Sequence, residues 1–383
     1  MSDLTGRRPT WAEINLDNLV HNFRVTKEAV GPDVAIMAAV KADAYGHGAV
    51  RCALALEEAG AAWFGVALPE EGLLLRDAGV SAPILCLGGH WQGQEELLIA
   101  RGLTPTVFRM QALDQLNKAA RAQRTVVHFH LKVDTGMGRL GVPRGEVDGF
   151  LDDLGRFENV RLDGVMTHLA SADCEDKNDF TKEQIEYFEA AVDRVRSRGH
   201  KPRWIHAANS AGTHAFPRSR GTLVRLGGVL YGLWRDVTRR SLQPLDWLPV
   251  MSLHSRIMLL KSVPSGSQLG YGGTFVTTRE SRIATVAIGY DDGLRRELSN
   301  RGRVIVRGQL APIVGRISMD MTLIDITEIE DAAVGDEVVL IGSLGAAQIS
   351  AEEVAAQIGT ISYEVTCAIS GRVPRVYLPE PRR

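Results

Sequence analysis

The sequence predicts an α/β fold: an N-terminal (β/α)8 TIM-type barrel followed by a mostly β C-terminal domain. Three observations lead there. Short apolar runs recur between residues 34 and 226, helical patterns lie between most of them, and the texture turns β-rich after about residue 240. The runs are Val34–Val40, Trp63–Leu68, Pro83–Leu87, Leu103–Phe108, Val126–Val133, Leu162–Leu169, Trp204–Ala208 and Leu223–Leu226. Eight of them favour a closed barrel over an open sheet.

Helix signals between the runs fit this order. "LPEEGLLLRDAG" places Pro69, Glu70 and Glu71 at a helix start, where free N–H groups and the helix dipole favour them. "DFTKEQIEYFEAAVDRVRSRG" has Asp179 at the expected N-cap and Gly199 at the stop. "SLQPLDWLP" reads as a linker. Beyond it, residues 253–263, 281–290, 303–326 and 336–343 are dense in Val, Ile and Thr, and one helix is expected near "SAEEVAAQIG". The expected domains are residues 1–242 and 243–383, with the first dozen or so residues able to pack against the β domain.

Composition narrows the function. With 383 residues, 45% of them hydrophobic, the chain can bury a large core without staples. A net charge of −2 with scattered Lys and Arg excludes a nucleic-acid footprint, and no apolar run is long enough for a membrane span. The N-terminal stretch lacks the apolar core of a signal peptide. Cys52, Cys86, Cys174 and Cys367 show no CxxC spacing, so structural zinc and a disulfide framework are not expected. A reducing cytoplasm is the simplest compartment.

The first strong run ends on Lys41, in "AAVKADAYGHGA". Barrel chemistry sits at the C-terminal ends of strands. A partly desolvated amine there has a lowered pKa and suits a Schiff base with an aldehyde cofactor. By itself, a strand-end lysine also fits a side chain that simply reaches solvent. Other segments add weight. "VRLGGVLYG" ends the eighth run, and Gly227 and Gly228 permit close backbone approach to a phosphate. "HAANS" ends the seventh and offers Ser210, and Tyr45 follows Lys41 closely. In "HFHLKVDTGMGRLG", His128, His130, Lys132 and Asp134 share one strand face. One face lines the barrel interior and the other meets helices. The "HFH" pair also fits a metal-dependent barrel hydrolase, although the strand runs on beyond it.

"VKADAYGHGA", "HLKVDTGMGRLG", "THLASAD", "HAANSAG", "VRLGGVLYG", "LGYGGTF", "IGYDDG", "GRISMD" and "SYEVTCAISGRVPR" run in order from residue 40 to 375. Together they resemble the bacterial alanine racemases, which use pyridoxal 5′-phosphate. The resemblance implies a cytoplasmic homodimer that interconverts L- and D-alanine and supplies D-alanine for peptidoglycan. It implies that Lys41 carries the cofactor and acts as one base, and that Tyr271 is the second base, supplied by the partner subunit. It implies Arg225 facing the pyridine nitrogen, His168 orienting Arg225, and Arg139 bonding the cofactor's phenolic oxygen and placing substrate. Phosphate contacts fall to Tyr45, Ser210, Gly227, Gly228 and Tyr363, with Asn209 beside them. Met319 is implied to bind the substrate carboxylate from the partner through its backbone N–H. Lys132 is implied as a carbamate that holds Arg139, and no metal is implied.

Asp320, Tyr290, Arg296, Arg316 and Ile361 match positions around the substrate entrance, and each also fits a routine surface or packing role. Ser318, Asp291 and Gly228 depart from the pattern common among relatives. A phenol ordinarily titrates near pH 10, so Tyr271 needs cations nearby to work near neutral pH. Arg225 stays protonated, which makes the cofactor ring a weaker electron sink and favours return of the proton to Cα. A racemase of serine or of broader specificity, a decarboxylase of the same plan, and a non-catalytic cofactor-binding protein are the alternatives.

Overall fold

The structure is a computed structural model and describes residues 8–239, 241 and 245–379. Strand β1 (Trp11–Asn15) and a helix, Leu16–Val30, come first. Eight strands follow: β2 (Ala35–Ala39), β3 (Trp63–Val66), β4 (Ile84–Cys86), β5 (Leu103–Val107), β6 (Val127–Lys132), β7 (Val160–Met166), β8 (Trp204–His206) and β9 (Leu223–Leu226). They form one parallel sheet in the order β8-β7-β6-β5-β4-β3-β2-β9. The sheet curls until β8 and β9 almost meet. The seam is crossed by the Thr222 N–H to the Ile205 carbonyl (2.9 Å) and the Arg225 N–H to the Ala208 carbonyl (3.0 Å). Strands β3, β4 and β9 are buried on both faces, which explains the unbroken apolar runs of β3 and β4 and a β9 that is apolar apart from Arg225.

The helix Pro69–Asp77 starts on its proline, with Glu70 and Glu71 in the first turn. The Glu71 carboxylate accepts the Ala67 and Leu68 N–H groups at 2.7 and 3.2 Å. The helix Asn178–Ser197 differs from expectation at its start. A 3-10 turn, Glu175–Lys177, runs into it, so Lys177 is the N-cap and Asp179 lies in the first turn. Its stop agrees: Gly199, at φ +83°, donates its N–H to the Arg196 carbonyl.

The later strands are β10 (Met251–Val263), β11 (Gln268–Leu269), β12 (Phe275–Val276), β13 (Ser281–Val286), β14 (Arg303–Val306), β15 (Gln309–Pro312), β16 (Thr322–Asp325), β17 (Glu337–Leu344), β18 (Ala347–Ile349) and β19 (Arg375–Leu378). The main sheet runs β15-β14-β17-β10-β1-β19, and β13 pairs with the far half of β10. The expected helix is Ala351–Ile358, and a short one, Ser362–Cys367, follows. Strand β1 belongs to this sheet, antiparallel to β10 and parallel to β19, so the chain starts in the β layer before entering the barrel. The boundary expected at 242/243 lies outside the described residues. No helix among the described residues is long and apolar enough to cross a membrane.

Asn22 ties the first helix to the segment leaving the barrel. Fully buried, it donates to the Leu230 and Leu248 carbonyls (2.9 and 2.8 Å) and accepts the Leu248 N–H (2.7 Å). Asn22→Ala leaves these backbone groups unpaired. It should cost about 2–3 kcal/mol, read as a lower urea midpoint with an unchanged native circular dichroism spectrum.

Candidate active site

A cavity of about 490 Å³ opens at the C-terminal ends of the barrel strands. Lys41, Tyr45, Lys132, Arg139, His168, Asn209, Ser210, Arg225, Gly227 and Tyr363 all line it, although they are spread over more than 300 residues of sequence. Asp173, Asp236, Leu87, Gly88 and Ile361 are also part of the wall.

Lys41 is placed by an unusual backbone. Ala42, Asp43, Ala44 and Tyr45 all have φ between +52° and +55°, a single left-handed helical turn made without glycine. Such a conformation costs roughly 1–2 kcal/mol per residue, so the surroundings must impose it. The Ala44 N–H bonds the Val40 carbonyl and the Gly46 N–H bonds the Ala42 carbonyl. Glu71 accepts the Ala42 N–H (2.7 Å), and Asp43 accepts the Ala49 N–H (2.7 Å). The Tyr45 ring is wedged between Tyr231 and Tyr363, at centroid distances of 5.1 and 5.0 Å. The sequence places conformational freedom at Gly46 and Gly48; the structure starts the left-handed run earlier, at Ala42.

The Gly227–Gly228 segment forms a cradle without side chains. The Gly227 N–H donates to Ser210 Oγ at 3.0 Å. A Cβ on Gly227 would overlap the Tyr45 hydroxyl, and one on Gly228 would overlap the Tyr363 ring and hydroxyl. Three hydroxyls, from Ser210, Tyr45 and Tyr363, therefore meet at a backbone that only glycine allows. Asp236 holds Tyr363 in place by accepting the Ser362 N–H and hydroxyl at 2.5 and 2.8 Å. Asn209 lines the cavity, but its amide is engaged locally: it accepts the Gly212 N–H (2.9 Å) and donates to the Leu169 carbonyl.

The opposite wall is cationic. Burial lowers the pKa of Lys41, and Arg139 lowers it further. Burial, then Arg225 and Arg139, bring Lys132 down to about 8. Burial brings Arg225 to about 9, so it remains a cation at neutral pH. Burial and Arg225 hold His168 well below the usual histidine range, hence neutral. The Asp134 carboxylate pulls Lys132 the other way, and it is occupied by the Gly136 and Gly138 N–H groups (2.9 and 3.0 Å), which shape the loop carrying Arg139. Such a site attracts a ligand with several negative charges.

Gly228 is not itself among the lining residues, although it follows Gly227, and Tyr271 and Met319 are not brought here by their own chain. Tyr271 sits 70% exposed on a turn between β11 and β12, and Met319 is 51% exposed. The Tyr271 turn packs against Gly315 and Arg316, close in sequence to Met319. The Ser318 hydroxyl donates to the Met321 carbonyl (2.7 Å) and closes the turn that presents Met319. Tyr290 joins this face through its N–H to the Ser318 carbonyl, and Asp291 and Asp320 both pair with Arg372. Arg296 opens a separate 3-10 turn, Arg296–Leu298.

Sequence reasoning assigned no role to Asp236 or His206. Only strand alternation placed His130 inside. It is fully buried with its Nδ1 2.9 Å from His206 Nε2, whereas His128 is exposed. Among the described residues no group of three or more His, Cys, Asp or Glu side chains is arranged to hold a metal.

Residues 14–234 match the family described as "Alanine racemase, N-terminal domain", and residues 250–377 match "Alanine racemase, C-terminal domain". An alanine racemase from Halothermothrix orenii is 47% identical, covering 97% of this chain and 97% of its own. A solved alanine racemase from Streptomyces lavendulae superposes with a TM-score of 0.90 at 37% identity, covering 98% of each chain. One from Bartonella henselae, described with covalently bound pyridoxal phosphate, gives 0.87 at 29% identity, covering 97% of this chain and 99% of its own. With two family models spanning the barrel and the β domain, and a relative this similar along its whole length, the chain belongs to the alanine racemase family.

Proposed function

We infer that the protein interconverts L- and D-alanine, using pyridoxal 5′-phosphate held on Lys41, in a homodimer whose sites are completed by the partner subunit. The observation that carries this reading is the cavity itself. A side-chain-free cradle ringed by hydroxyls lies in one cavity with Lys41, Lys132, Arg139 and Arg225. A phosphate fits the cradle, and an amine with a lowered pKa stands ready for an aldehyde. The family membership supports the same activity. We place the protein in the cytoplasm, supplying D-alanine for peptidoglycan.

When bound, the cofactor supplies an aldehyde and a conjugated ring that shares the electron pair left as the α-proton departs. Lys41 would hold the cofactor and would move a proton at its Nζ on one face of Cα. Tyr271 of the partner subunit moves a proton at its hydroxyl on the other face. Arg225, cationic and donor-only, would disfavour protonation of the ring nitrogen, so the electron pair would stay close to Cα. Arg139 places the substrate carboxylate together with the Met319 N–H of the partner subunit. The Tyr363 ring, fixed through Asp236, limits room beside Cα and favours a methyl side chain. Exposed Tyr271 and Met319 on one face of the β domain suit burial against a second copy.

Purified wild type should absorb near roughly 420 nm, and borohydride should remove that band; Lys41→Ala should lack a borohydride-sensitive band and lose at least about a thousandfold in racemisation. A colourless wild type that takes up no added pyridoxal phosphate overturns the cofactor assignment.

Mixing tests the shared site. Lys41→Ala and Tyr271→Phe should each be nearly inactive as homodimers. Unfolded and refolded together, they should recover about a quarter of wild-type activity, because half of the dimers then carry one intact site. No recovery, with mixed dimers verified by mass, means each site is built from one chain.

We also propose that Lys132 is carbamylated. With its pKa near 8, much of it is neutral amine under mildly alkaline conditions, the form that adds CO2. The resulting anion offsets the cations around it. Protein equilibrated with ¹³C-bicarbonate should show a carbamate carbon signal that Lys132→Arg lacks; a wild type without that signal rejects the proposal.

A further inference from the structure

Arg225 is buried, and no carboxylate bonds to it among the described residues. Its terminal nitrogens donate to the carbonyls of His206 (2.7 Å), Thr167 (2.7 Å) and Ala207 (3.1 Å). They also meet two imidazole nitrogens, His206 Nδ1 at 3.0 Å and His168 Nδ1 at 3.2 Å. A guanidinium has donors only, so each of these imidazole nitrogens presents a lone pair.

This determines the rest of the chain of bonds. A neutral imidazole with its lone pair on Nδ1 carries its proton on Nε2. The His206 Nε2–H points at His130 Nδ1, 2.9 Å away. His130 Nδ1 must therefore accept, and the His130 proton sits on its own Nε2. That last N–H has no hydrogen-bond partner among the described residues, and the His130 ring lies beside the Trp63 indole at a centroid distance of 5.1 Å. Burial, with Arg225 adding to it, brings His130 down to about 3, and His206 is likewise held far below the usual range. Both rings are neutral, as the bonding requires.

The contact spans three strands. His130 is on β6 and His206 on β8, with β7 between them. On β7, Gly164 is in register with His130 on one side and Trp204 on the other, while Met166 is in register with His206. A Cβ on Gly164 would lie 2.5 Å from the His130 ring. The missing side chain is what lets one imidazole reach the other.

We propose that His130 is a positioning residue for racemisation: by accepting from His206, it selects the His206 tautomer whose Nδ1 receives Arg225. The guanidinium is then held with its terminal nitrogens engaged below and its Nε, which has no partner among the described residues, left for the cavity. Without this acceptor, His206 must bury an unpaired N–H or turn its ring, and either weakens the hold on Arg225.

Neutron diffraction from deuterated holoenzyme should place the deuteron on Nε2 of both His130 and His206. His130→Phe should lower kcat by about tenfold or more with KM for alanine within about twofold, the loss expected for a weakened hold on a charged group. His130→Asn, whose Oδ1 stands where Nδ1 stood, should return kcat to within about threefold of wild type. A deuteron on His206 Nδ1 overturns the proposal. So does wild-type kcat in His130→Phe, or an Asn variant that falls as far as the Phe variant. If His130→Phe does not fold, the deuteron positions and the Asn variant decide. The kinetic arm rests on the racemase reading; a wild-type holoenzyme inactive on alanine would sink that reading, while the deuteron positions still judge the bond chain.

Discussion

A buried guanidinium with no carboxylate bonded to it sets the terms for the rest of the structure. Taking a charge out of water costs several kcal/mol unless hydrogen bonds replace the lost solvation. Arg225 obtains them only from neutral acceptors at the ends of β7 and β8, so its charge is solvated and not cancelled. These bonds fall at the seam where the barrel ladder between β8 and β9 lapses, and the same residue's backbone crosses that seam to Ala208. One side chain thus helps close the barrel and keeps an uncancelled positive charge at the cavity floor. His168 and Lys132 feel that charge directly, since Arg225 lowers the pKa of both.

Two other features follow from presenting an amine and a side-chain-free cradle in one small space. The strand carrying Lys41 cannot run straight into a right-handed helix, because the turn after it coils the other way through Ala42 to Tyr45. Short side chains, the Glu71 and Asp43 carboxylates and the wedged Tyr45 ring hold that turn against its intrinsic cost. The wedge in turn demands empty space opposite, and Gly227 and Gly228 supply it. Strain at the lysine and absence of side chains at the cradle are two sides of one packing requirement.

The β domain lends the site one side chain and carries a second, exposed face. Within its own chain it contributes Tyr363, anchored across the cavity by Asp236. Its far face shows Tyr271 and Met319 to solvent, on turns stiffened by Ser318 and by the Gly315–Arg316 contact. Ser318 and Asp291, both departures from the common pattern, find local work: one closes a turn and the other pairs with Arg372. Strand β1, carried into the β sheet before the barrel starts, keeps the two layers from being independent beads on a string.

Hydrophobic periodicity determined the barrel, because a parallel strand covered on both faces is apolar wherever no buried polar group is fully bonded: β3 and β4 are unbroken, and β9 is interrupted only by Arg225. It also determined which end of the strands to watch, so Lys41, Ser210 and Gly227 were legible as a group. Alternation put His130 and Lys132 on one interior face. The helix N-cap at Asp179 was misread because a 3-10 turn extends the helix backwards, a choice made by packing and not by the capping residue. The left-handed turn at Ala42 was invisible because alanine disfavours it and only distant contacts impose it. The His130–His206–Arg225 chain was equally hidden, since it joins residues up to 95 apart across a glycine whose significance is the space it leaves. Local sequence specifies periodicity and backbone freedom; which buried donors meet which acceptors is decided only when strands far apart in the chain are brought side by side.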